Sequence, residues 1–499
     1  MLRHLGLLGG CFDGRFLLRW RPSSVVPLRS THNAPNCGDR RLEASDSPPA
    51  AAKDPGWVIL NKYGIRTDDD DSSVAVDART VAYSCTSSGH HLRVSFARAP
   101  PPASSFICYD FPDTSPDGDD DEDDDDEAAE DVEESEEDED HVEESEEEDD
   151  VNEWRISVVS AHGDCILLKM SHRRCPSYFE DEHFLYRAGP TGRPPSLSLL
   201  PDRDFLTKSE QGYASKVSPP IRPIVCSGTT SLLRRGNDDV LIVQLDLMYD
   251  RGLRQSLAEF CLLRHGAPQW ELKEPVPIVH DDEGGRADAD LWSWRCTTTV
   301  IPLGDRFLCW VKYEKGFLLC DIADEASPRV RYVPLPPGVC WDPKVYEDDR
   351  SQHCKNMGAV GASALRFVSV DPHCCCGGSG RSTCLRSRYA FTINTWMMKV
   401  SMDEPMVWVK DGEIDCEEIW EQPGYEGLPR ADFQCPVVCL EDPSVVCFLV
   451  SNTDFVSSYE DRKEWMVQLN IKTKTLLSAV QFTKGRCEAY HHLPLKLEC

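Results

Sequence analysis

The chain has 499 residues, 40% of them hydrophobic and 28% charged, with a formal net charge of −33. Residues 117–150 hold 26 Asp or Glu and no Lys or Arg, so the rest of the chain carries only −7. That remainder has an ordinary globular composition. It lacks the basic stripe that phosphate binding needs, which excludes nucleic acid, and it lacks the ~18-residue apolar run that a membrane span needs.

The 23 cysteines are odd in number and scattered. Several sit inside apolar runs, such as Cys309 in FLCWV and Cys447 in VVCFLV, where cysteine behaves as a small buried hydrophobe. With no N-x-S/T sequon present, this describes a reduced, soluble, intracellular protein.

Residues 1–53 are rich in Ser, Pro and Arg without periodicity, and read as a disordered basic leader. Within residues 1–43, seven arginines stand against Asp13, Asp39 and Glu43, the composition of an organelle transit peptide. Gly9, Gly10 and Gly14 weaken the amphipathic helix such a peptide needs. The favoured location is therefore the cytoplasm or nucleus, with import into mitochondria or plastids as the second reading.

A folded domain is expected over residues 54–490. It opens with WVILNKYGI (57–65), HLRVSF (91–96) and FICYDF (106–111), and resumes at WRISVV (154–159). Between them residues 112–151 form a disordered acidic insertion, tolerable because loop-closure cost rises only logarithmically with length. The insertion contains a near-duplicate, VEESEEDED (132–140) and VEESEEEDD (142–150). Ser135 and Ser145 each have an acidic residue three positions on, the setting acidophilic kinases accept. The tract reads as a solvated spacer or as an electrostatic lure for basic proteins.

Beyond residue 154 one pattern recurs: an apolar run, a short Gly, Asp or Asn turn, and a second apolar run. It appears in ISVVSAHGDCILLKM (156–170), SLLRRGNDDVLIVQLDL (231–247), TTVIPLGDRFLCWVKY (298–313), AVGASALRFVSV (359–370) and VVCLEDPSVVCFLVS (437–451). The cleanest unit covers residues 297–334, where TTTVIP, FLCWVKY, FLLCDI and VRYVP make four strand-length pieces. Such runs make antiparallel hairpins, and four-stranded units in series are the signature of propeller blades. The expected fold is all-β and β-propeller-like, with about six four-stranded blades. A sandwich or a split two-domain β protein is the structural alternative. Only short stretches such as 251–262 read as helical.

Four motifs in this order, WVILNKYGI, YRAGPTGRPPSLSLLP (186–201), FLCWVKYEKGFLLCDI (307–322) and RYVPLPPG (331–338), resemble the plant family known as domain of unknown function 1618, expanded in grasses. The resemblance spans roughly residues 57–485. The GFLLCDI…RYVPLPP unit also resembles the blade motif of F-box-associated and kelch-like propellers. The family implies no established activity. The acidic tract is longer than the usual loop at that place, and HCCCGGSGRSTC (373–384) interrupts the fifth unit.

No nucleotide-binding glycine loop, nucleophile elbow or H-E-x-x-H motif occurs, so no catalytic residue or cofactor site is assigned. The richest metal-ligand set is His353, Cys354, His373, Cys374, Cys375, Cys376 and Cys384. Adjacent cysteines in an extended loop alternate in direction, and Cys374 with Cys376 lacks a matching second pair, so a cysteine-rich loop is favoured over a metal site. Cys435 and Cys439 have metal-like spacing but read as strand. Trp292, Trp294, Trp310 and Trp341 read as packing between blades, or as an exposed peptide-binding face. The expectation is a non-enzymatic protein-interaction platform with unknown protein partners, basic ones through the acidic tract, and neither nucleic acid nor membrane. The alternatives are a small-ligand binder or enzyme using the propeller channel, and an organellar factor with a cleaved leader.

Overall fold

The computed structural model describes residues 56–67, 77–111, 154–175, 178–189, 193–214, 223, 225–236, 238–250, 252–280, 299–339, 354–374, 389–453, 461–482 and 492–496. The basic leader and the acidic insertion, with Ser135 and Ser145, lie outside these residues. Strand is by far the commonest regular structure among the described residues, as the apolar runs predict.

The first unit holds β1 (Trp57–Asn61), β2 (Ile65–Arg66), β3 (Ala82–Cys85), β4 (His91–Ala97) and β5 (Ser104–Asp110). Antiparallel meanders follow. The first is β6 (Trp154–His162), β7 (Cys165–Cys175), β8 (Tyr178–Arg187) and β9 (Ser196–Leu199), after which comes the short helix α1 (Lys208–Ala214). The next is β10 (Thr230–Arg235), β11 (Asp239–Asp250), β12 (Gln255–Arg264), β13 (Glu271–Leu272) and β14 (Val276–Val279). Then come β15 (Thr299–Leu303), β16 (Phe307–Lys312), β17 (Gly316–Asp321) and β18 (Arg329–Pro334). They are followed by β19 (Lys355–Val360), β20 (Ala364–Pro372), β21 (Phe391–Lys399) and β22 (Val409–Asp415), with helix α2 (Cys416–Trp420) after them. The last meander is β23 (Gln434–Val438), β24 (Val445–Ser451), β25 (Glu464–Asn470) and β26 (Thr475–Phe482). The final strand, β27 (His492–Lys496), returns to the first unit and pairs antiparallel with β1. A parallel pairing of β14 with β18 joins two of the meanders into one nine-stranded sheet.

The leading strands of successive units are neighbours. β6 lies beside β10, β10 beside β15, β15 beside β19, β19 beside β23, β23 beside β27, and β27 beside β6. The circle is therefore closed, and it is closed by a strand from the far end of the chain.

Six apolar cores fill the spaces between neighbouring units. The period-2 alternation of a strand explains how. On β16, Leu308 and Trp310 face back to the β10–β14 unit, while Phe307, Cys309 and Val311 face forward to β19–β21. On β24, Val446, Phe448 and Val450 face one neighbour, while Val445 and Cys447 face the first unit. Both faces of such strands leave water, so the runs read as continuously apolar rather than alternating. Each fully buried Leu, Val or Phe contributes roughly 1.5–3 kcal/mol of hydrophobic stabilisation. Trp310 is wholly buried and satisfies its indole N–H on the carbonyl oxygen of Thr229 at 2.8 Å, which places it in inter-unit packing. Trp292, Trp294 and Trp341 lie outside the described residues. Cys309, Cys320 and Cys447 are free, buried thiols, as their apolar surroundings predict.

Turn chemistry follows the sequence at LGDR, where Gly304 has φ 59°, a left-handed conformation that glycine enters without steric cost. The helical reading of 251–262 is corrected: residues 255–264 are β12, paired with β11 residue for residue from Asp250↔Gln255 to Leu241↔Arg264. Leu257, Phe260, Cys261 and Leu263 have helical spacing, but a strand buried on both faces produces the same apolar density. The pairing with β11 decides. None of the described helices is long and apolar enough to cross a membrane.

Candidate functional site

The β19–β22 sheet carries two features that core packing does not account for. One is a groove of about 440 Å³ over the end of β21 and the segment leading into β22. Its walls are Ala364, Met397, Met398, Lys399, Pro405, Val407 and Val409. Val407 and Val409 are 67% and 59% exposed.

The segment forming this wall is held from the preceding unit. Arg331 Nη1 donates to the carbonyl oxygens of Ser401 at 3.1 Å and Glu404 at 2.7 Å. Ser401 Oγ accepts from the backbone N–H of Asp403 at 3.3 Å and of Glu404 at 3.1 Å. Trp408 packs edge-on against Phe317 and Phe367, and its indole N–H donates to the Pro334 carbonyl oxygen at 2.9 Å. Val407 and Val409 thus flank an anchored tryptophan and are presented on a fixed frame. Further along β22, a Cβ on Gly412 would meet Thr395 Oγ1 at 2.5 Å and Ile471 Cγ2 at 2.6 Å. Only glycine lets the strand approach this closely.

The second feature is at the opposite end of β22. His373 follows β20, Asp415 ends β22, and Cys416 begins α2. The donor atoms of these three side chains all lie within 4.8 Å of one another. Asp415 Oδ2 is 3.1 Å from His373 Nε2, while Asp415 Oδ1 accepts the backbone N–H of Glu417 at 3.0 Å. Glu418 completes a capping box around the start of α2. Cys416 is buried, and that burial pushes its thiol up to about 11.

A second polar cluster joins the segment after β9 to the β10–β14 unit. Asp246 and Glu259 are directly opposite on β11 and β12. Thr207 donates its hydroxyl to Asp246. The Lys208 backbone N–H donates to Glu259 Oε2 at 2.7 Å, and the buried Arg203 guanidinium donates to Glu210 at 2.8 Å. Burial holds both Asp246 and Glu259 above the usual carboxylate range. Apart from the Leu247 N–H on Asp246 Oδ1, these hydrogen bonds run to residues 203–210, so this cluster fastens the segment before β10 onto the sheet.

Of the metal-ligand set read from the sequence, Cys354 joins the apolar core between β19–β22 and β23–β26, His373 enters a cluster with Asp415 and Cys416, and Cys374 is half-buried just after His373. His353, Cys375, Cys376 and Cys384 lie outside the described residues. Cys435 takes a left-handed backbone conformation at the irregular start of β23 and Cys439 follows the strand's end, and among the described residues neither joins a group of three metal-ligating side chains. The sequence reading missed Asp415 and Cys416. The available signal was the D-x-x-E capping box at Asp415–Glu418, which marks a helix start just after a strand.

The groove and the His373 cluster both fall within residues 310–447, which match the model of the DUF1618 family, described as a protein of unknown function. This stretch of the chain is similar to the DUF1618 family. It runs from Trp310 on β16 to Cys447 on β24, narrower than the span over which the sequence motifs resemble the family. No curated protein matches the chain. Among solved structures, the chain is similar to a GH32 β-fructofuranosidase of Bombyx mori at 10% identity and TM-score 0.28, covering 65% of this chain and 61% of that one. It is also similar to the endosialidase of phage phi92 at 11% identity and TM-score 0.33, covering 87% of this chain and 69% of that one. At these TM-scores neither likeness bears on what this chain does.

Proposed function

We propose that the chain is a non-enzymatic protein-interaction platform, a ring of six blade-like units whose DUF1618-like region holds the docking surface. The observation that carries this reading is the open groove beside Val407 and Val409, on a segment fixed by Arg331 and Trp408. Apolar side chains held rigidly at a surface lose little entropy when a partner covers them. Among the described residues β22 is the last strand of its sheet. An extended partner segment therefore has a main-chain edge to pair with and a groove for its side chains. A basic segment suits the acidic tract of residues 117–150, which holds 26 Asp or Glu and no Lys or Arg, because long-range attraction raises its encounter rate.

The test is binding of an array of extended peptides bearing alternating apolar and Lys or Arg residues, measured for the natural chain and for a Val407→Asp, Val409→Asp double variant. The double variant is expected to lose at least about tenfold in affinity for the peptides the natural chain selects. Equal binding by both proteins would remove the groove from the interface.

A further inference from the structure

The cluster at the far end of β22 is independent of the groove and has donor chemistry of its own. An imidazole, a carboxylate and a thiol meet there from two places in the chain 42 residues apart. Their donor atoms all lie within 4.8 Å of one another. Two donors at the usual ~2.0–2.1 Å from a tetrahedral zinc ion lie about 3.3 Å from each other. His373 Nε2 and Asp415 Oδ2 stand 3.1 Å apart, so an ion fits between them with small rotations of two side chains.

The supporting contacts are also in place. Asp415 Oδ1 is held by the Glu417 N–H, which leaves Oδ2 turned toward His373. The backbone N–H of Phe391 donates to the Cys416 sulfur. The His373 main chain is pinned by its own N–H on the Ala390 carbonyl oxygen at 3.0 Å. Such outer contacts orient ligands and set their basicity in metal sites generally. The side chains of His373 and Asp415 remain 33% and 42% exposed, so the fourth position of a tetrahedron opens to solvent.

We propose that His373, Asp415 and Cys416 form a zinc site with an open fourth position filled by water. The mixed nitrogen, oxygen and sulfur set selects zinc over calcium or magnesium, which take oxygen ligands in larger number. Binding replaces the His373–Asp415 hydrogen bond with two metal bonds and releases the Cys416 proton to solvent. The ion ties the end of β20 to the start of α2. Three protein ligands and one exchangeable position also give the site room for a carboxylate or imidazole from a partner.

The experiment uses the purified full chain, reduced and stripped of metal. Zinc is titrated in competition with a chromophoric chelator, and cobalt(II) is then substituted to read the ligand set by absorption. The expected result is one tightly held ion, with tetrahedral cobalt bands and a sulfur-to-cobalt charge-transfer band that disappears in Cys416→Ser. His373→Ala should weaken zinc binding by at least about tenfold. Asp415→Asn should weaken it similarly while keeping the cap on α2, which guards against misreading an unfolded variant. A Cys374→Ser, Cys375→Ser, Cys376→Ser variant should keep the ion. Loss of the ion in that triple variant, with binding unchanged in His373→Ala and Asp415→Asn, would overturn the assignment, as would no tight zinc binding at all.

Discussion

Leu495 lies opposite Val58 across an antiparallel pair, which joins the last described strand to the first and closes the ring. The two residues are buried in the same core, between the first unit and β6–β8. The energetic weight of the far end of the chain therefore falls on a five-residue strand.

Leu495→Ala should destabilise the fold by about 2–5 kcal/mol, the range for a truncated core leucine. Leu477→Ala is the control, because Leu477 is exposed on the outermost strand of the last meander and should change stability by less than about 0.5 kcal/mol. Urea unfolding of both variants checks this. Equal midpoints would show that closure through β27 contributes nothing to the folded state.

Gly412→Ala places a methyl group against Thr395 and Ile471 at distances no real Cβ occupies. Repacking there should cost about 1–3 kcal/mol. Thermal unfolding with and without the substitution measures it, and an unchanged melting temperature would mean that β22 shifts freely.

The Asp246–Glu259 pair makes stability depend on pH in a definite direction. Burial raises Glu259 above the carboxylate value of 4.5, with Asp246 and Glu210 adding to the effect and Lys208 opposing it. The folded state then holds this proton more tightly than the unfolded chain. Its contribution is complete below about pH 4.5 and is lost as pH rises through the folded value. Glu259→Gln keeps an acceptor for the Lys208 N–H and does not titrate. Its melting temperature relative to the natural chain should therefore rise between pH 5 and pH 8. A difference constant with pH would mean that Glu259 is not held above its ordinary range.

Deleting residues 117–150 should change the stability of the folded body by less than about 0.5 kcal/mol. The expectation rests on like charges at this density repelling within the ~8 Å screening length of physiological salt. Capture of basic proteins should depend on the tract and fade as salt rises, and phosphate should be found by mass spectrometry at Ser135 and Ser145. Unfolding on deletion would make the tract structural, and an unaltered bound set at low salt would make it a spacer.

The residue pattern alone determined that this is a strand protein with its charge gathered in one segment. FLCWVKY and VVCFLVS are apolar at consecutive positions because both faces of β16 and β24 are buried, a requirement visible without knowing what buries them. The four strands of residues 297–334 were legible for the same reason, since each hairpin is local and its turn chemistry lies between the runs. Tertiary structure alone decided the rest. RGLRQSLAEFCLLR satisfies a helix or a buried strand equally, until β11 offers it ten residues of pairing. HHLPLKLEC shows no sign of closing a ring with residues 57–61, and neither Asp415 nor Cys416 shows any sign of His373. Apolar pattern tells which residues must leave water. Which distant run lies beside which depends on the one arrangement that buries every sheet face at once.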